Sequence, residues 1–282
     1  MTAEHEQNRR SWNHATRAHN RHKGDQAAFL RGGGTTLFPE EIELLGDVRG
    51  KRVVHLQCNA GQDTLSIAAQ LGGRVVGVDI SDEAIEFAQA LAARSGIAGD
   101  FVRSDVYDFL ETTAERFDVV FTGYGALCWL SDIGRWARGV ARILAPGGRL
   151  VLIEFHPLLN LFDDDGRLGT GPGRGSGGGR IDWATGVGDY VAASDGALSP
   201  SVHVETEPFT NPEPAHEWEW SVAEVIDAVA RAGLRVEGVR EWPYSNGCRF
   251  FSNMVALEGR RWAMADDAPR VPLMYSLVAR QS

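Results

Sequence analysis

Between residues 51 and 155, short apolar runs alternate with segments whose apolar positions recur every three to four residues. The runs 51–56, 74–80 ("RVVGVDI"), 100–105 ("DFVRSD"), 117–122 ("FDVVFT") and 149–155 ("RLVLIEF") read as strands. Between the first two, 61–71 reads as a helix with Leu65, Ala68 and Ala69 on one face. Ser81 reads as an N-cap, with Asp82 and Glu83 in the first turn where the helix dipole favours them. The helix it starts groups Ile85, Ala88, Leu91 and Ala92. Helical spacing is clearest for Ile133, Trp136, Ala137, Val140, Ala141 and Leu144, and "APGG" (145–148) stops it. Beyond residue 220, Val222, Val225, Ile226 and Val229 mark a helix over 221–232, and 234–242 and 271–279 read as a sixth and a seventh strand. Such alternation predicts right-handed βαβ units and a mostly parallel sheet with helices on both faces.

The periodicity lapses over 156–217, which contains "GRLGTGPGRGSGGGR" (166–180) and runs into "TNPEPAHEWEW" (210–220). A long irregular stretch inside a compact domain is usually functional or mobile. It is read as an irregular cap insertion over the active-site end of the sheet, with a second excursion at 244–270. The polar segment 1–30 places Trp12, Thr16 and His19 on one helical face, either as a lid helix or as an anchored tail. The expected organisation is therefore a lid, 1–30, and one domain, 31–282.

Composition narrows the function. A chain of 282 residues suffices for one large domain with an insertion. A net charge of −10 is the wrong sign for a nucleic-acid partner, because phosphate binding uses a basic face. No stretch reaches the ~18 apolar residues of a membrane helix, and the first residues lack an apolar signal segment. Cys58, Cys128 and Cys248 are scattered and odd in number, which suggests neither a disulfide framework nor a zinc site. A reducing cytoplasm is the default compartment. No carboxylate–histidine cluster has metal-ligand spacing, so no metal is expected. A homodimer stays open.

The turn after the first strand, "QCNAGQD", carries the chemistry. In open α/β sheets, ligands bind beyond the carboxyl ends of the strands. Asp79 ends the next strand 18 residues after Gly61, close to the spacing of about 20 for an acid that binds ribose hydroxyls. Asp105 ends the third strand beside the same crevice. A dinucleotide pyrophosphate needs glycines where this chain has Gln57 and Asn59. Asn still tolerates left-handed backbone. The turn therefore favours a nucleoside ligand without phosphates, whose polar groups Gln57 and Asn59 can hydrogen-bond.

At these motifs the chain resembles the class I, Rossmann-like S-adenosylmethionine-dependent methyltransferases, within them a small-molecule type. The resemblance rests on "HLQCNAG" (55–61), "GVDIS" (77–81), "SDVYDF" (104–109), "FDVVFTGYGALCWL" (117–130) and "LAPGGRLVLIE" (144–154), close over 48–155 and loose over 217–280. It implies an antiparallel last strand in a Rossmann-like seven-stranded sheet, and S-adenosyl-L-methionine as cofactor. It makes Asp79 the ribose ligand and Asp105 the acceptor for the adenine amino group, with Val106 nearby and Ile80 packed on the ring. Gly61 would let the turn approach the amino-acid tail. Gly123 and Tyr124 would border the methionine part, and Trp12 would shelter the sulfonium or simply anchor its helix. His55 stands where the family has an acid and reads as a strand histidine.

Methyl transfer depends on alignment, and needs a base only if the acceptor must lose a proton. His156, after Glu154 at the end of the fifth strand, and His216, before the helix at 221, are the candidate catalytic residues, as base or orienting donor. Phe162, Trp183, Tyr190, His203, Tyr244 and Phe250 in the two irregular segments, with Trp218 just past the first, suit a small organic acceptor, methylated at oxygen or nitrogen. Two rival readings are an S-adenosylmethionine-binding protein with other chemistry or a regulatory role, and a nicotinamide-dependent oxidoreductase.

Overall fold

The computed structural model describes residues 1–168, 179–194, 196–198 and 208–281. Most of the glycine-rich segment 166–180, and His203, lie outside the described residues. The chain opens with α1 (Ala3–Arg21), α2 (Gln26–Arg31) and α3 (Pro39–Leu45). It then alternates through β1 (Arg52–Leu56), α4 (Gln62–Ser66, continued by a π turn over Ile67–Leu71), β2 (Arg74–Asp79), α5 (Asp82–Ser95), β3 (Asp100–Arg103), α6 (Val106–Thr112), β4 (Phe117–Thr122), α7 (Ile133–Ile143) and β5 (Leu144–Phe155). The cap supplies β6 (Gly179–Trp183), α8 (Tyr190–Ala193) and β7 (Ala215–Glu219). There follow α9 (Val222–Arg231), β8 (Leu234–Trp242), β9 (Tyr244–Asn246), β10 (Val255–Leu257), β11 (Arg261–Ala263) and β12 (Met274–Gln281).

Among the described residues, seven strands form one sheet in the order β3-β2-β1-β4-β5-β12-β8. β12 runs antiparallel to both β5 and β8. This is the Rossmann-like methyltransferase fold that the alternation and the motifs predict. Strand order reverses between β1 and β4, which pair directly, so the crevice opens above their carboxyl ends. Fully buried apolar residues on β1, β4 and β5 explain why these strands read as continuous apolar runs.

Local signals behave as their chemistry requires. Ser81 caps α5 by accepting from Ala84 N–H, and Gly96 ends the helix in left-handed geometry. Ser221 and Glu224 form a capping box on α9. One boundary differs from expectation: β5 begins at Leu144, which pairs with Phe117, and the ladder then skips to Arg149 opposite Val119. "APGG" thus loops out within a strand rather than preceding it.

The irregular segments carry more regular structure than their sequence shows. β6 pairs antiparallel with β7, and β10, β11 and β9 form a small antiparallel sheet. Strands of three to five residues are too short to display a period. α1 packs on β7 and on the start of α5. Its Asn13 accepts from Ser81 Oγ and donates to Asp82, and Asn8 makes paired hydrogen bonds to the backbone of His216.

Candidate active site

The turn after β1 is left-handed at three alternate residues: Gln57 (φ 54°), Asn59 (φ 48°) and Gly61 (φ 75°). Left-handed backbone costs a non-glycine residue roughly 1–2 kcal/mol. Here side-chain hydrogen bonds offset the cost. Gln57 Nε2 donates to the Ala126 carbonyl at 2.7 Å, and Asn59 Oδ1 accepts from Ala60 N–H at 2.7 Å. Gly61 is required for a different reason. A Cβ there would lie 2.7 Å from both Ala88 and Phe101, so the missing side chain lets the turn pack on α5 and β3. Gly61 is not among the residues lining the crevice.

Asp79 ends β2 beside this turn. Its Oδ2 accepts from Asn59 N–H at 2.8 Å and its Oδ1 from Ser81 N–H at 2.9 Å. Each oxygen keeps a lone pair for a ligand hydroxyl. Burial raises its pKa to about 6, against the pull of these backbone donors.

Asp105 is placed differently from the expectation. It is 2% exposed and does not line the cavity. Its Oδ2 pairs with His5 Nδ1 at 2.6 Å, and its Oδ1 accepts from Tyr107 N–H at 2.8 Å as the cap of α6. Burial pushes this carboxyl up, but the His5 contact and the Tyr107 N–H outweigh it and hold it below the usual range. The flanking Ser104 and Val106, and His5 itself, face the cavity instead. Nothing local in the sequence connects positions 5 and 105.

The two candidate histidines are not brought together. His156 lines the cavity and is buried. Its Nδ1 accepts from Leu158 N–H at 3.1 Å, which puts the ring proton on Nε2, 3.2 Å from Glu241 Oε1. Both nitrogens are therefore engaged. Burial lowers its pKa, with Glu241 acting in the opposite sense. His216 is not part of the lining; it lies opposite Asp182 in the β6–β7 ladder, and its Nδ1 is 2.6 Å from that carboxylate. Glu154 is buried and accepts the N–H groups of Gly125, Ala126, Leu127 and Phe155. It clamps the loop after β4. Burial raises its pKa, and those donors lower it in part.

Around these groups the described residues enclose a cavity of about 830 Å³. Gln57, Asn59, Ile80, Val106, Gly123 and Tyr124 all line it, as does Trp12. Trp12 meets Trp129 edge-on, with centroids 5.3 Å apart, and Tyr190 at 6.3 Å. Tyr124, Phe155 and Phe250 form an opposite, apolar wall. Lys23 and Gln62 also face the cavity and escaped the sequence reading. Lys23 lies in a connection without periodicity. Gln62 sits between the motif glycine and the helix it opens.

Residues 53–148 match a family model described as "Methyltransferase domain". The chain carries a class I S-adenosylmethionine-dependent methyltransferase domain. A ubiquinone/menaquinone biosynthesis C-methyltransferase of Azotobacter vinelandii is 33% identical over 121 residues, 40% of this chain and 46% of that protein. A ubiquinone biosynthesis O-methyltransferase of Hahella chejuensis is 33% identical over 115 residues, 40% and 48%. The methyltransferase domain thus lies in a match spanning about half the length of these curated relatives. Two solved S-adenosylmethionine-dependent methyltransferases share the fold. The one from Mesorhizobium loti has a TM-score of 0.52 at 22% identity, covering 88% of this chain and 99% of that one. The one from Clostridium acetobutylicum has a TM-score of 0.54 at 10% identity, covering 92% and 91%.

Proposed function

We propose that the methyltransferase domain transfers the methyl group of S-adenosylmethionine to nitrogen or oxygen of a small organic acceptor. The observation that carries this reading is Asp79, half-buried at the end of β2 with a lone pair free on each oxygen, beside a turn whose side chains leave no phosphate cradle. The bound cofactor supplies a methyl on positive sulfur that departs as a neutral thioether. Asp79 holds the ribose, Ile80 and Val106 pack on the adenine, and Gly123 and Tyr124 border the methionine part. Trp12 presents an aromatic face suited to a sulfonium. Alignment of this kind can supply ~7–11 kcal/mol of a barrier.

With His156 engaged at both nitrogens and His216 outside the cavity, no histidine proposed as base has a free nitrogen directed at an acceptor. This favours acceptors that need no strong protein base, such as an amine or a carboxylate. The negative net charge and the aromatic walls support a small molecule over a nucleic acid. Among the described residues, no helix is long and apolar enough to cross a membrane. Within this reading, 1–30 forms a lid over domain 31–282.

Incubation with methyl-labelled cofactor and panels of amines, carboxylic acids and phenols tests the proposal. Label should move to an amine or acid. Cofactor consumption with no labelled acceptor would favour other chemistry at sulfur.

A further inference from the structure

Three polar groups near the start of α4 face the cavity with unused hydrogen-bonding capacity. Gln62 is 9% exposed, and its Nε2 is buried without a partner. Gln57 Oε1 is likewise buried without a partner, although its Nε2 is bound to Ala126. The Lys23 ammonium, in the connection between α1 and α2, makes no hydrogen bond or ion pair among the described residues. Only a longer-range attraction to Asp63, the neighbour of Gln62, acts on it; burial lowers its pKa to about 8, so it stays mostly charged at neutral pH. All three residues line the same cavity.

Buried polar groups left without partners are uncommon and ask for an explanation. An ammonium and an amide N–H without acceptors suit an anion with two oxygens. An amide oxygen without a donor suits a cation. An α-amino acid carries both in one group. The sheet order sets direction: Asp79 ends β2, the turn follows its neighbour β1, and Gln62 opens the helix after that turn. A nucleoside held at Asp79 with its 5′ substituent along the turn would bring that substituent to Gln62.

We propose that Lys23 and Gln62 grip the carboxylate of the cofactor's amino-acid tail, and that Gln57 Oε1 takes its ammonium group. The inference rests on the methyltransferase reading and deepens it. It makes the α1–α2 connection a cofactor ligand, so the N-terminal segment is fastened by the tail and not by the nucleoside.

The test is calorimetric binding of S-adenosylhomocysteine and of 5′-methylthioadenosine, which keeps nucleoside and thioether but lacks the amino-acid tail. Lys23→Met and Gln62→Leu should each weaken S-adenosylhomocysteine tenfold or more and leave methylthioadenosine within twofold. Unchanged affinity for S-adenosylhomocysteine in both variants would overturn the clamp. Equal losses for both ligands would overturn it too, because they would report a structural role. If wild-type protein bound neither ligand, the cofactor reading itself would fall, a result distinct from failure of the clamp.

Discussion

At Asp79 the geometry and the titration lead to two expectations. Asp79→Ala removes charge-assisted hydrogen bonds worth ~1.5–3 kcal/mol each, so S-adenosylhomocysteine binding should weaken by one to several orders of magnitude. In the proposed binding mode ribose hydroxyls would donate to the ionised carboxylate, whose pKa burial raises to about 6. Affinity should be flat above that pH and fall as Asp79 takes up a proton below it, by up to about tenfold near pH 5. Calorimetry across pH 5–8 checks this, and an unchanged profile in Asp79→Asn would assign the dependence to another group. Gly61 calls for the opposite pattern. Gly61→Ala meets Ala88 and Phe101 at 2.7 Å and also strains a φ of 75°, so it should cost stability of more than ~1 kcal/mol. Denaturant titration should show the loss while the folded fraction binds cofactor normally. The histidines give a third expectation: His156→Ala and His216→Ala should each keep kcat within about tenfold. Loss of a true general base costs ~10²–10⁴-fold, so a drop of that size in either variant would restore it as the base.

Among the described elements, α1 is attached in a different way from α7. Its buried face includes His5, Asn8, Ser11, Thr16 and His19, so polar contacts hold it where α7 is held by an apolar stripe. Elements with few buried apolar contacts open at low free energy. α1 should therefore exchange its amide hydrogens well before the central strands, and S-adenosylhomocysteine should slow that exchange. Identical rates with and without ligand would make α1 a fixed wall and not a lid. The same contrast explains what the sequence shows of each element. α7 is legible because its buried face repeats every three to four residues. The cap strands β6 and β7, and β9 to β11, are not, because pairing partners far along the chain decide whether three to five residues become a strand.

For the whole molecule, the cavity touches α1, the cap, the turn after β1 and the small sheet's neighbourhood at once. A ligand there would add a further link among these segments, of which α1 and β7 already touch directly. At one hundred times its Kd, S-adenosylhomocysteine should add ~2.7 kcal/mol to stability. That corresponds to a rise in Tm of about 5 °C for a domain of this size. NAD and NADP should give no shift, and a comparable shift with either would reopen the oxidoreductase reading.

Strand–helix alternation, the left-handed turn and an acid at the end of β2 are local patterns, and the sequence by itself determined them. Each depends on residues within a few positions of one another: apolar period, Asn tolerance of positive φ, a Ser N-cap following Asp79. Tertiary structure alone decided which side chains face the cavity. Asp105 was expected at the adenine, and the fold turns it toward His5, some hundred residues away. His216 faces Asp182 because of a cross-strand register, whereas Lys23 and Gln62 reach the cavity because α2 and α4 pack together. Orientation of a polar side chain depends on which distant partner satisfies its hydrogen bonds, and no local period encodes that partner.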